Sequence, residues 1–249
     1  YDNGSSDGFR GVLAPWIAAG KVTLVDWPGA GAQLAAYDHC LRRARREARW
    51  LAFIDIDEFL FAPDGAALPD ALEAYRDLPA VFVYWRLYGS SGHQARPSGP
   101  VIEAYTWRLD DEGSERLLPT GTTGQPRQGK SVVNPRRVRE MGVHLPVKPR
   151  KGVRDERRRA PPRDPEDRAA TITCERLRIN HYWSKSIQDL REKAARGRAS
   201  VNKQRNLEAM LAWERELNAV EDRAILTLPQ TSITSPARYR SARHWPRWR

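Results

Sequence analysis

Seven residues, Trp50–Ile56 (WLAFIDI), form an almost continuous apolar run that breaks into carboxylates at Asp55-Ile56-Asp57-Glu58. A run without polar alternation cannot leave one face in water, so it predicts a central strand covered on both sides. Because it ends in acids, it also predicts carboxylates at the carboxyl edge of a sheet, where open α/β sheets bind their ligands. Few architectures meet both demands, and the flanking chain is patterned to match.

Lys21–Trp27 (KVTLVDW) reads as a buried strand closed by a Pro28-Gly29 turn. Gln33–Arg49 reads as a helix with Leu34, Tyr37, Leu41 and Ala44 on its apolar face. A helix over about Leu68–Leu78 leads to a strand at Ala80–Tyr88, and further strands are expected at Val101–Leu109, Ser131–Val138 and Leu177–Trp183. From Ile187 the pattern turns helical, with one helix to about Ala199 and another over Asn206–Asp222. The alternation argues for an α/β fold in which a mostly parallel sheet is flanked by helices, with a helical C-terminal part. We expect one domain over residues 1–200, followed by a helix and basic tail over 201–249. Residues 148–168 are charged and Pro-rich, which predicts a solvated, mobile loop.

The formal charge of +11 points first to an anionic partner, but its placement argues otherwise. Residues 42–49, 148–168 and 238–249 carry +4, +4 and +5, so the rest of the chain sums to −2. Arg makes up 35 of the 42 basic residues in an Ala- and Pro-rich chain, a bacterial-like codon bias as much as a function. With no recognition motif or coherent basic face, nucleic acid is not expected as a partner. Weak attraction to an anionic membrane surface is the residual expectation, with a cytoplasmic, membrane-peripheral location. Cys40 and Cys174 stand far apart in no metal-binding spacing, which argues against a disulfide framework or structural zinc.

If the strand persists through the acids, Asp55 and Asp57 project to one side. Two hard oxygen donors on one side suit Mn²⁺ or Mg²⁺, which in turn hold diphosphate oxygens. The bland alternative for so common a tripeptide is a turn or helix cap. At the chain start, YDNGSSDG (Tyr1–Gly8) has the composition of a loop that wraps a ligand at a strand end, with an ordinary Asn-Gly turn as its alternative.

Six blocks occur in order: YDNGSSDG, the Gln33…His39-Cys40-Leu41 helix, WLAFIDIDEFLF, YGSSGH (Tyr88–His93), KSVVNPRRV (Lys130–Val138) and RINHYWSKS (Arg178–Ser186). Together they resemble glycosyltransferase family 92, related to the family-2-like GT-A enzymes, from Tyr1 to about Gly197. Members of that family carry a strand and helix ahead of the first block, so the first strand of the nucleotide-binding sheet is expected to be missing here.

The resemblance implies a GT-A fold and transfer of a sugar, with inversion, from a nucleotide-sugar donor to a glycan or other hydroxyl acceptor. A UDP-sugar is the expected donor. It places Asp2 and Asn3 near the nucleoside, Asp55 at the ribose or metal, and Asp57 as the direct metal ligand. His181 would be a further metal or phosphate ligand, with a hydrogen-bonded core histidine as its alternative. Lys185 and Arg136 would assist the departing diphosphate. A single in-line displacement needs one general base, for which Glu58, Glu103 and His93 are the candidates. Trp85 and Tyr88 read either as sugar-stacking rings or as core. Two competing classes are a metal-dependent nucleotidyltransferase or phosphohydrolase and a non-catalytic carbohydrate-binding module. The first generally needs a further acidic cluster, and turnover of a nucleotide sugar would eliminate the second.

Overall fold

The sequence AVFVYWRL, rich in β-branched and aromatic residues, makes the central strand rather than the run at Trp50–Ile56. In the computed structural model, residues 1–111, 113, 128–162, 171–196 and 205–228 are described. Six α-helices lie among them: α1 (Phe9–Ala18), α2 (Gln33–Ala44), α3 (Leu68–Glu73), α4 (Val101–Ala104), α5 (Ile187–Arg196) and α6 (Leu207–Glu216). The strands are β1 (Leu51–Ala52), β2 (Glu58–Phe61), β3 (Ala80–Leu87), β4 (Trp107–Arg108), β5 (Gly129–Val133), β6 (Glu140–Met141), β7 (Pro146–Lys148), β8 (Arg154–Asp155), β9 (Arg178–His181) and β10 (Val220–Glu221).

The main sheet runs β1-β5-β3-β9-β2, with β8 also on β3. One edge of β3 pairs antiparallel with β5. The other edge is used in series, β8 pairing in parallel at Val81 and Phe82 and β9 in parallel at Trp85 to Leu87. The pairs β1/β5 and β2/β9 are antiparallel. The sheet is therefore mixed, which corrects the mostly parallel expectation. A strand buried on both faces looks the same in either type of sheet, so the apolar pattern carries no direction.

Alternation along β3 divides the core. Val81, Val83, Trp85 and Leu87 pack with Leu72, Leu190 and Trp213 from α3, α5 and α6. Ala80, Phe82 and Tyr84 pack on the other face with Leu41 of α2. Gly129 is required at the start of β5, because a Cβ there would lie 2.0 Å from the Val83 carbonyl oxygen. Among the described residues no helix is long and apolar enough to cross a membrane.

Several expected elements take another form. Lys21–Trp27 makes only an isolated parallel bridge, Asp2 to Asp26. The run at Trp50–Ile56 pairs only at Leu51 and Ala52, on the sheet's edge. Val101–Leu109 begins as the helix α4 behind Pro100, because proline at a helix start fixes a suitable φ and forfeits no needed donor.

The charged segment after 148 is exposed at residues 148–151, 157, 158 and 160 but anchored to the fold between them; residues 163–170 lie outside the described set. Val153, Asp155 and Glu156 are buried. The Glu156 carboxylate accepts the backbone N–H groups of Glu175, Arg176 and Leu177 at 2.7–2.8 Å and the Thr173 hydroxyl. The Glu156 carbonyl receives the Tyr75 hydroxyl at 2.8 Å. This one side chain positions the entry to β9.

A second polar clamp holds β9 to the C-terminal elements. Arg178 (2.7 Å) and Arg108 (2.6 Å) converge on the Asp222 carboxylate, all three side chains being largely buried. Burial opposes the charge on Asp222. Arg178, the Ala224 N–H and Arg108 outweigh it and hold the carboxyl well below the usual range.

Two stability predictions follow from these clamps. Glu156→Ala should lower unfolding free energy by about 3 kcal/mol or more, because three buried N–H groups lose their acceptor. Chemical denaturation checks it. Asp222→Asn should be destabilising at pH 7, and the gap to wild type should close at low pH. The folded carboxyl titrates below the unfolded value of about 4, so its contribution is full above that value and fades as pH falls beneath it. Denaturation curves from pH 7 to 3 measure the gap.

Candidate functional site

At the end of β1 the chain does not continue as a strand through the acids. The Glu58 N–H donates to the Asp55 carbonyl at 3.0 Å, closing a turn that leads straight into β2. Asp55 and Asp57 therefore acquire separate partners instead of one shared side, and Ile56 between them is 97% exposed.

Asp55 is held from the sheet. Lys130, on β5 and buried, places its ammonium 3.0 Å from Asp55 Oδ2 and 3.9 Å from Glu58 Oε1. Glu58 Oε2 accepts the Asp55 N–H at 3.0 Å. Burial pushes the Glu58 carboxyl up to about 8 despite Lys130, so around neutrality Lys130 faces one carboxylate and one largely protonated acid.

Asp57 is held from β9 and α5. Its backbone carbonyl accepts the Tyr182 N–H at 2.9 Å. Its Oδ2 lies 3.8 Å from His181 Nε2 and 3.4 Å from Lys193 Nζ. Burial pushes His181 down to about 3, so the imidazole is neutral at ordinary pH. Burial would raise the Asp57 carboxyl, but its surroundings hold it low. Because His181 is neutral, the charges that do this near neutrality are Lys193 and Lys185. Lys185 sits at φ 52°, a left-handed conformation costing a non-glycine residue about 1 kcal/mol and one that clusters at functional sites.

His181 packs against the Trp85 ring at 4.4 Å, and its Nδ1 is buried without a hydrogen-bond partner among the described residues. His144 also meets the Trp85 ring, with centroids 5.3 Å apart, and sets its Nδ1 2.9 Å from the Gly129 carbonyl. Trp85 and Tyr88 are buried in the core, so of their two expected roles the packing one holds.

For a divalent cation the donor set is one carboxylate oxygen and one neutral imidazole nitrogen, a hard and a borderline ligand suited to Mn²⁺. No group of three or more His, Cys, Asp or Glu surrounds one point among the described residues. With only these two donors meeting, a cation here would need its remaining ligands from outside the chain, such as the oxygens of a bound anion.

A cavity of about 1380 Å³ opens beside the turn, bordered by Asp55, Ile56 and Glu58 and by Tyr1, Trp27 and Tyr37. Tyr1 Oη lies 2.7 Å from His39 Nδ1, and the Tyr1, Trp27 and His39 rings meet with centroids 5.0–5.6 Å apart. Asn3 also lines this cavity, though its amide donates to the Trp27 and Gly29 carbonyls at 2.7 and 2.8 Å. Asp2 is buried, accepts the Ser5 N–H at 3.0 Å and pairs with Arg10 at 3.2 Å. Its carboxylate thus organises the loop.

The remaining candidates lie apart from the acids. Arg136 is exposed, and its Nε donates to the Arg45 carbonyl at 3.1 Å. Leu51 pairs with Val133, so Arg136 lies beyond the opposite end of β1 from Asp55. Glu103 is exposed on α4, not held in a strand. His93 is tied to that helix by an Nε2···O contact of 3.1 Å to Ala104 and by the Tyr105 ring. The structure brings together Asp55, Asp57, Glu58, His181 and Lys185, and adds Lys130 and Lys193. Lys130 stands one residue ahead of the strand expected at Ser131–Val138, and β5 takes it in. Lys193, among Arg191, Glu192 and Arg196, looks like any solvated helical residue.

Curated relatives match about half of the chain. A glycosyltransferase family 92 protein of Oryza sativa subsp. japonica is 34% identical over 139 residues, covering 54% of this chain and 21% of its own length. One from Ricinus communis is 34% identical over 140 residues, with 54% and 23% covered. A galactan beta-1,4-galactosyltransferase of Arabidopsis thaliana is 29% identical over 142 residues, with 54% and 26% covered. The chain thus spans about a quarter or less of the length of these relatives. The family model described as "Glycosyltransferase family 92" matches residues 1–209, and the chain belongs to that family.

Proposed function

We propose that this chain carries the donor site of a glycosyltransferase, arranged as in GT-A enzymes, that moves a sugar from a nucleoside diphosphate, UDP by preference, to a glycan hydroxyl. The observation that carries the reading is the meeting of the Asp55–Glu58 turn with His181, Lys130 and Lys193 beside an aromatic-lined cavity. The galactosyltransferase name of some relatives makes a galactose-type donor and a galactan-type acceptor the first to test.

In this reading Asp57 and His181 hold a Mn²⁺ or Mg²⁺ ion, which neutralises charge on the departing diphosphate when bound. Lys130 fixes Asp55 at the cavity edge, and Glu58 fixes the turn through the Asp55 N–H. Lys185 and Lys193 add positive charge where the diphosphate collects negative charge. The Tyr1 and Trp27 rings on the cavity wall offer faces on which the nucleotide base can stack. Of the three candidate bases, only Glu58 borders the cavity; because burial raises its carboxyl to about 8, the deprotonated form a base needs fills only as pH rises toward that value.

Titration calorimetry of UDP with and without Mn²⁺ tests the site. Asp57→Asn should weaken Mn²⁺-dependent UDP binding by more than the ~10–100-fold that outer-shell partners are typically worth. Unchanged affinity in that variant would remove Asp57 from the site. Trp27→Ala should weaken UDP binding roughly tenfold through lost stacking while leaving Mn²⁺ binding alone unaltered. Equal loss for inorganic diphosphate would show that the ring does not hold the base.

A further inference from the structure

Lys193 has a placement that a structural or solvated lysine does not need. It leaves the last turns of α5, where its neighbours Glu192 and Arg196 are exposed, yet its own side chain is only 16% accessible. The stem passes the Trp183 ring, with Nζ 5.4 Å from the ring centre. Nζ donates to the Trp183 carbonyl at 2.8 Å, a full-strength bond. Its contact with Asp57 Oδ2, at 3.4 Å, is longer than the ~2.7–2.9 Å of a well-formed charged pair. The same Oδ2 is the atom that faces His181 Nε2 at 3.8 Å. One carboxylate oxygen is thus shared by a neutral imidazole and a loosely engaged ammonium.

We propose that Lys193 is a resident counter-cation at Asp57 that makes the site select the cation–diphosphate complex over the free cation. This rests on the reading of Asp57 and His181 as cation ligands. A bare divalent ion approaching Oδ2 meets the buried ammonium as a like charge and is disfavoured. A divalent ion carrying a diphosphate brings its own negative oxygens, which the ammonium can face in place of Oδ2 without leaving the Trp183 carbonyl. The cation and the nucleotide then help one another to bind, and by linkage each raises the other's affinity by the same factor. Lys185, whose charge also bears on Asp57, and Lys130, held on Asp55, surround the pair but do not touch Oδ2 among the contacts described.

The test is calorimetry of Mn²⁺ alone, and of UDP at saturating Mn²⁺, on the wild-type chain, Lys193→Gln and Lys193→Arg. Glutamine keeps a donor for the Trp183 carbonyl and removes the charge. Arginine keeps the charge. For Lys193→Gln we expect Mn²⁺ alone to bind about tenfold more tightly and UDP about tenfold more weakly, a coupling of ordinary size. Lys193→Arg should retain the wild-type preference for the complex. Unchanged or weaker Mn²⁺ binding in a folded Lys193→Gln overturns the inference alone. If Lys193→Gln does not fold, loss of the wild-type preference in Lys193→Arg overturns it. Failure of the wild-type chain to bind UDP in a Mn²⁺-dependent way overturns the underlying site reading instead.

Discussion

His181 is the register partner of Glu58 on one edge of β9 and of Leu87 on the other. That double pairing is what the site depends on. The antiparallel ladder to β2 brings the acidic turn to β9, and the parallel ladder to β3 ties both to the core strand. Because side chains alternate, a one-residue slip of β9 would carry His181 to the opposite face and place Asn180 beside Trp85. Register is therefore specified from outside the site. Glu156 gathers the N–H groups just before β9, and Asp222 clamps Arg178 at its first residue. A segment that reads as loop and a residue that reads as the end of a helix thus set the position of the imidazole.

Electrostatics then assigns the two aspartates different roles. Asp55 meets a lysine anchored in the sheet, buried on β5, where the strand's pairing on both edges leaves little freedom. Asp57 meets a lysine on a helix and an imidazole kept neutral by burial. Desolvation favours neutral forms throughout, as the raised Glu58 and lowered His181 attest, and yet Asp57 stays ionised. A carboxylate kept charged beside a neutral imidazole is what a cation site requires of its protein ligands, since a protonated imidazole could not ligate.

Much of this was legible in the residues. The strand at Ala80–Tyr88 and the helices at Gln33 and Ile187 follow their periodicities, with ends shifted by a few residues. The Asp-x-Asp is a local signal, acids after an apolar run, whereas His181 drew notice only through the family resemblance that its block carries. What escaped was non-local. Strand direction is absent from a doubly buried pattern. The burial of 153–156 depends on β8 adding to a free stretch of β3, which no composition of Arg and Pro announces. Val101–Leu109 has strand-like letters, but Ser98-Gly99-Pro100 ahead of it starts a helical turn instead. Arg136 shares a sequence block with Lys130, but six residues of strand and turn carry it to the far end of the sheet.

The turn at Asp55–Glu58 explains the oddest exposure in the molecule. Had β1 run on, both aspartates would lie on one side and Ile56 would be packed beneath. Instead the chain turns, Ile56 is left in the open beside the cavity, and each aspartate is presented to its own lysine. Exposing an isoleucine forgoes about 2 kcal/mol of burial. The arrangement obtained in return holds two carboxylates close in sequence without forcing them to share one desolvated face, where their repulsion would protonate one of them. Glu58, buried below the turn, takes that protonated role, leaving Asp55 to pair with Lys130 and Asp57 to meet His181 and Lys193.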